Sequence, residues 1–171
     1  ATGTTSSNQV IIVNGAKIQA VGGNLAIPPG ATVVDLSNAT ALPGLVDAHT
    51  HLCIIVRRQY DNGDYFFTTL IDSDALRAIQ GVANARDMLA SGFTTVRDVG
   101  NAGNYADTAL RQAIEQGLVP GPTIINAGRI IAPYGGQFHL QPGRRELGEP
   151  EYYFADSRDE MRKAIRENIH Y

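Results

Sequence analysis

This chain of 171 residues reads as an α/β fold, and three observations carry that reading. From Leu42 onward, short β-rich runs alternate with stretches of helical periodicity, the pattern of parallel strands joined by helices. Ahead of that alternation, two β-rich arms flank Asn14-Gly15. At the junction, the run Leu42-Pro43-Gly44-Leu45-Val46-Asp47-Ala48 ends in His49-Thr50-His51. An apolar run leaving a Pro-Gly turn reads as a buried strand. Its side chains alternate with period two, so His49 and His51 point to the same side.

Taken in order, residues 10–13 and 16–21 are the arms of a hairpin, with Asn14-Gly15 as the two positive-φ positions of a type I′ turn. Gly22-Gly23 ends that unit and Pro28-Pro29-Gly30 marks a loop. Residues 32–36 read as a further strand, and residues 1–41 together as a small β element. Within residues 42–171, Asp72-Ser73-Asp74 offers an N-cap and an acidic first turn to a helix. Its expected buried stripe is Leu76, Ile79, Ala83, Arg86 and Leu89, with Gly92 as the stop. Residues 93–99 form the next strand. A helix over 107–116 then carries Ala109, Leu110, Ala113 and Ile114 on one face, and residues 123–127 form a third strand. Ser157-Arg158-Asp159-Glu160 is a capping box opening a charged helix, whose Met161, Ile165 and Ile169 are expected to cover a sheet.

The bulk properties exclude several classes. Hydrophobic residues make up 43% and charged residues 18%, with a net charge of −3. That rules out a strongly basic nucleic-acid binder and gives no electrostatic attraction to a membrane surface. No apolar run approaches the length needed to cross a bilayer. Cys53 is the only cysteine, which forbids an internal disulfide and leaves the compartment open. The location is left open between cytoplasmic and, should Ala1 and the polar residues after it be a processed end, periplasmic or secreted. Gly-x-Ser-x-Gly, Walker A and Cys-x-x-Cys patterns are all absent, against serine-hydrolase, P-loop and zinc-ribbon readings.

His49 and His51 are the candidate metal ligands, because imidazole is the commonest side-chain ligand for a catalytic divalent ion and one strand pre-aims both rings. Two exposed histidines on an edge strand would share this spacing. Asp47 shares their parity and reads either as a residue orienting a histidine or as a strand-end carboxylate bonded to backbone. Cys53, followed by Ile54-Ile55-Val56, reads as a buried inert thiol. Arg97 is a candidate for gripping a substrate carboxylate, against an Arg97–Asp98 ion pair fastening neighbouring loops. Tyr134 and His139 flank Gly135-Gly136, where backbone can approach a ligand closely, and are candidates to bond a scissile carbonyl or product carboxylate. Arg144-Arg145 is a candidate anion patch or simply a solvated pair, and His170 reads as a surface residue. A three-histidine mononuclear site from His49, His51 and His139 is a further alternative.

The run Leu42–His51, the stretch Ser91-Gly92-Phe93-Thr94-Thr95-Val96-Arg97-Asp98-Val99-Gly100 and the stretch Gly117-Leu118-Val119-Pro120-Gly121-Pro122-Thr123-Ile124 before Gly135-Gly136 together resemble the amidohydrolase superfamily. Within it the chain looks closest to the imidazolonepropionase-related group, which includes Xaa-Pro and other metal-dependent dipeptidases. The resemblance implies the first three units of a (β/α)8 TIM barrel over residues 42–171, preceded by part of a β-sandwich. It also implies a metal-dependent hydrolase of amide or peptide-like C–N bonds, holding one or two divalent ions with zinc expected. The implied partners are a small amide or dipeptide substrate and the remainder of the barrel, with homo-oligomerisation left open. Lactone or phosphoester hydrolysis, or a silent fragment that keeps the fold as a binding protein, are the other readings. In the family a fourth-strand lysine, or a comparable acidic ligand, bridges two metals and a last-strand aspartate is the general acid/base. Neither Lys17 nor Lys163 stands where that lysine belongs, so a fourth strand carrying it is expected after Tyr171, and residues 1–171 alone are expected to be inactive. Gln137 stands where the group shows a histidine after Gly-Gly, which weakens the transfer of that role to His139.

Overall fold

The computed structural model describes residues 3–55, 71–100, 103–136 and 145–171. His139, Gln137 and Arg144 lie outside the described residues. The chain divides into two units, residues 1–43 and 44–171. In the first, β1 (Val10–Asn14) pairs antiparallel with β2 (Lys17–Gly22), with a register shift at Ile12/Val13. Asn14 pairs with Lys17, so the two loop residues are Gly15 and Ala16 rather than Asn14 and Gly15. Gly15 has φ +57° and Ala16 is not in the left-handed region, the sign pattern of a II′ turn rather than the expected I′. Residues 32–36 form no strand, and Val33, Val34 and Leu36 stand exposed. β propensity there finds no neighbouring backbone to pair with, and propensity alone does not make a strand.

The second unit is built on a parallel three-stranded sheet in the order β3 (Leu45–Thr50), β4 (Phe93–Asp98), β5 (Thr123–Asn126). Helices α1 (Asp74–Ala90) and α2 (Ala106–Glu115) supply the connections, as the strand–helix alternation predicts. Both cover one face: Val96 and Ile124 from the sheet pack with Ala85, Ala106, Leu110, Leu52 and Cys53. The alternate residues Arg97 and Ile125 face the other side and are exposed.

The face that α1 buries is not the expected one. Ser73 caps it, its hydroxyl accepting from Leu76 N at 3.3 Å, but Leu76, Ile79, Ala83, Arg86 and Leu89 are all exposed. Arg77, Gln80, Gly81 and Ala85 are buried instead. Small residues let the helix approach closely: a Cβ at Gly81 would sit 2.8 Å from Cys53 Sγ and 3.0 Å from Leu110 Cδ2. On α2, Leu110 is buried and Ile114 packs on the core as expected, whereas Ala109 is exposed and Asp107 and Thr108 are buried.

Between β5 and the last helix lies a pair the sequence reading did not anticipate, β6 (Ile130–Ala132) parallel to β7 (Tyr152–Phe154). Arg129 holds it from below, bonding Tyr152 O at 2.8 Å, the Glu149 carbonyl, and Glu167 on α3 (Arg158–His170) at 2.9 Å. The cap forms in a shifted version of the box: Ser157 Oγ accepts from Glu160 N at 3.3 Å, and the Glu160 carboxylate accepts from the Ser157 hydroxyl at 2.9 Å and from the N–H of Asp156, one residue before the cap, at 3.0 Å. Yet α3 buries Ala164 and docks through Glu167 and Asn168, leaving Met161, Ile165 and Ile169 exposed. The expectation that this stripe covers a sheet is overturned. Polar contacts to Arg129 and Tyr105 set the helix's rotation.

This assignment of faces has a direct consequence. Leu110→Ala should cost about 2–5 kcal/mol in denaturant unfolding, the usual range for a buried leucine. Ile79→Ser should change stability by no more than about 0.5 kcal/mol. A cost at Ile79 as large as that at Leu110 would restore the sequence-predicted stripe of α1.

Candidate metal centre

The site begins with two strand ends. On β3, Val46 and Ala48 alternate with Asp47 and His49, and His51 follows directly after the strand. The imidazoles of His49 and His51 lie on the same side with ring centroids 5.3 Å apart, edge to face. Both are exposed, on a strand with one sheet neighbour among the described residues. Spacing and exposure alone do not separate them from a solvent-facing pair; the surroundings do. His49, His51, Arg97, Val99 and Ile130 line one open depression of about 350 Å³.

Each wall of that depression is fixed by cross-strand bonds. Arg97 Nε donates to Ala48 O at 2.8 Å, and among the described residues its two terminal nitrogens are bonded to nothing. The guanidinium is thus anchored at one edge with its fork free. His51 Nδ1 lies 3.3 Å from Gly100 O. A carbonyl only accepts, so in the neutral ring this contact places the proton on Nδ1 and the lone pair on Nε2. Thr50 Oγ1 donates to Arg97 O at 3.1 Å, and Val99 N donates to Thr50 O at 3.0 Å. Asp47 accepts from the His49 backbone N–H at 3.0 Å, the strand-end reading of that carboxylate.

Residues 40–171 match the amidohydrolase family. The chain belongs to that family. A dihydroorotase of Leifsonia xyli subsp. xyli (strain CTCB07) is 34% identical to this amidohydrolase chain over 154 residues, covering 89% of it and 29% of the dihydroorotase. Among solved structures, a prolidase complexed with N-methylphosphonate-L-proline matches at 26% identity with TM-score 0.75, over 95% of this chain and 39% of that one. A Xaa-Pro dipeptidase with bound methionine in its active site matches at 27% identity with TM-score 0.74, over 94% and 39%. The chain therefore spans well under half the length of these relatives.

The amidohydrolase chain brings His49, His51 and Arg97 together, but not every expected residue. Tyr134 does not line the depression. Its ring packs edge to face on Phe154 at 5.4 Å, under the Arg145 guanidinium at 5.8 Å, and its N–H donates to Asp156 at 3.0 Å. Arg145 is held by that stacking and by Glu149 at 3.4 Å rather than presented as an anion patch. The expected Arg97–Asp98 ion pair does not form, because adjacent strand residues face opposite ways. Cys53 is 1% exposed with its thiol pushed up by burial, which makes it inert, and His170 is at the surface. No group of three histidine, cysteine or carboxylate side chains converges among the described residues, so the three-histidine alternative turns on His139, outside them.

Asp98 is the residue whose place the sequence reading missed. It is 1% exposed, and its carboxylate accepts from Leu52 N at 2.8 Å and Gly100 N at 3.2 Å. Burial pushes its pKa up to about 7, against the pull of those two bonds; burial likewise raises Glu151 to about 7. Both carboxyls then hold protons in the folded state that they have lost in the unfolded chain between about pH 4 and 7. Their contribution is full below the ordinary carboxylate pKa and is lost as pH rises through about 7. In metal-free protein, Asp98→Asn should therefore flatten the fall in stability between pH 5 and 7.5. An unchanged slope in chemical denaturation would show that Asp98 is ionised throughout.

Proposed function

We propose that this chain provides the histidine-pair metal site and part of the substrate cleft of a metal-dependent hydrolase of C–N bonds. Amides of dipeptide type are the substrate class. The observation that carries the proposal is the convergence of His49, His51 and the free fork of Arg97 in one depression, in a chain of the amidohydrolase family. The donor set fits a divalent ion: two imidazoles share one side, and the neutral His51 ring with Nδ1 on the Gly100 carbonyl has Nε2 as its ligating nitrogen. Zinc is the expected ion, with one or two bound. When bound, such an ion lowers the pKa of a water and polarises the scissile carbonyl.

The chain's own residues account for binding and orientation. Arg97 can take a carboxylate through two parallel bonds while its Nε stays tied to Ala48, and a dipeptide ends in a carboxylate. Val99 and Ile130 supply an apolar wall against which a side chain or ring packs. The resemblance to a prolidase holding a proline analogue and to a Xaa-Pro dipeptidase supports this substrate class. The parallel sheet, with the histidines at the carboxyl end of its first strand and no helix on its cleft face among the described residues, supports reading residues 42–171 as the first three units of a (β/α)8 barrel, and the resemblance extends this to residues 1–41 as part of a β-sandwich. Both elements are then the N-terminal part of the enzyme.

The longer polypeptide containing this sequence, loaded with zinc, should hydrolyse Xaa-Pro dipeptides. His49→Ala and His51→Ala should each lower kcat/KM by more than about 100-fold, the upper range for residues that only orient a ligand. Arg97→Ala should raise KM about 10–100-fold for free dipeptides and leave their C-terminal amides unaffected. Full activity in either histidine variant would refute the proposal. Residues 1–171 alone should show no enzymatic turnover with excess zinc. Turnover abolished by His139→Ala but tolerant of Arg97→Ala would establish the three-histidine site instead.

A further inference from the structure

We propose that Asp98 is the positioning residue for His51: by holding the backbone on both sides of the ring's hydrogen bond, it selects the Nδ1–H tautomer and leaves Nε2 facing the cleft. The inference rests on the reading of His51 as a metal ligand, and its test is built to fail separately from that reading.

The geometry is a closed circuit. One carboxylate oxygen of Asp98 takes the N–H of Leu52, the residue after His51. The other takes the N–H of Gly100, whose own carbonyl accepts from His51 Nδ1. His51 O accepts from Ile54 N at 3.2 Å, which closes the turn after the ring. One buried side chain therefore fixes both the backbone that carries the imidazole and the carbonyl that reads its proton. Asp98 itself lies on the helix-covered side and does not line the cleft.

Gly100 supplies a second, independent observation. Its φ is not in the left-handed region, so no conformational need calls for glycine there. Space does: a Cβ at Gly100 would stand 3.0 Å from both Nδ1 and Cε1 of His51. The glycine lets the ring sit against the backbone, close enough for its Nδ1 proton to reach the carbonyl.

A neutral imidazole free of such a partner exchanges its proton between the two nitrogens, and only the unprotonated one can ligate a metal. In the neutral ring, fixing the proton on Nδ1 keeps Nε2 as the ligating nitrogen. Asparagine at position 98 offers one acceptor oxygen where the structure uses two, so it can hold Leu52 N or Gly100 N but not both.

The test is the ¹⁵N imidazole spectrum of metal-free, ¹⁵N-histidine-labelled protein at a pH where the ring is neutral, with the His51 signal identified by its loss in His51→Asn. The wild type should show Nδ1 protonated and Nε2 bare. Asp98→Asn should move His51 toward the Nε2–H form, whereas Thr50→Val, which removes the neighbouring Thr50–Arg97 bond but nothing on Gly100, should not. Should Asp98→Asn not fold, Gly100→Ala reports on the same circuit by pushing the ring off the carbonyl. An Nδ1–H tautomer retained in Asp98→Asn or in Gly100→Ala, or a Thr50→Val shift as large, would overturn the proposal. Zinc titration completes it: Asp98→Asn should bind about 10–100-fold more weakly. A wild type with the Nδ1–H tautomer but no His51-dependent zinc binding would refute the metal reading and leave the circuit standing.

Discussion

The rim of the sheet depends on one buried carboxylate. Taking Asp98 out of water costs several kcal/mol unless its oxygens are bonded, and among the described residues no cation pairs with it. Two backbone N–H groups offset that cost, and they come from the ends of two different strands. The ladder between β3 and β4 is irregular just there, between Asp47 and Thr50. Backbone pairing resumes only at Thr50, which pairs with Asp98 and whose carbonyl accepts from Val99 N. Side-chain-to-backbone bonds from Thr50, Arg97 and Asp98 take over where the ladder lapses.

How legible this was in the sequence differs by level. Strand–helix alternation and the hairpin were legible because period and turn residues are local properties. Helix rotation was not. The apolar stripes of α1 and α3 gave the wrong faces because their burial is set by partners far along the chain. Gly81 meets Cys53 and Leu110, and Asn168 bonds Arg129 O at 2.9 Å. A helix that docks through small and polar residues leaves no hydrophobic signature on the side that packs. The β6–β7 pair escaped notice because three-residue strands carry too little pattern to read.

At the candidate site, period two was enough to place His49 and His51 on one side, and enough to separate Arg97 from Asp98. The reading of an Arg97–Asp98 pair ignored that same rule. Tyr134 was selected for its chemistry beside two glycines, but aromatic packing on Phe154 decides where its ring lies. In the sequence Gly100 stands only as the end of a family motif. Its role becomes visible from the ring beside it, and no single-residue property could have shown it.

The strand ends divide labour by parity. At positions 97 and 98 and again at 50 and 51, one residue faces the helices and its neighbour faces the cleft. The inward members, Thr50 and Asp98, bond backbone; the outward members, His51 and Arg97, keep donors or lone pairs free. A side chain with spare valence is usable only if its direction is fixed by something else, since an untethered imidazole or guanidinium spends rotamer entropy on every ligand it meets. Placing the fixing residue on the neighbouring strand, on the opposite face, lets it act through backbone without entering the cleft. Substitutions on the helix-facing side can then change how the cleft binds while every cleft-lining residue stays the same.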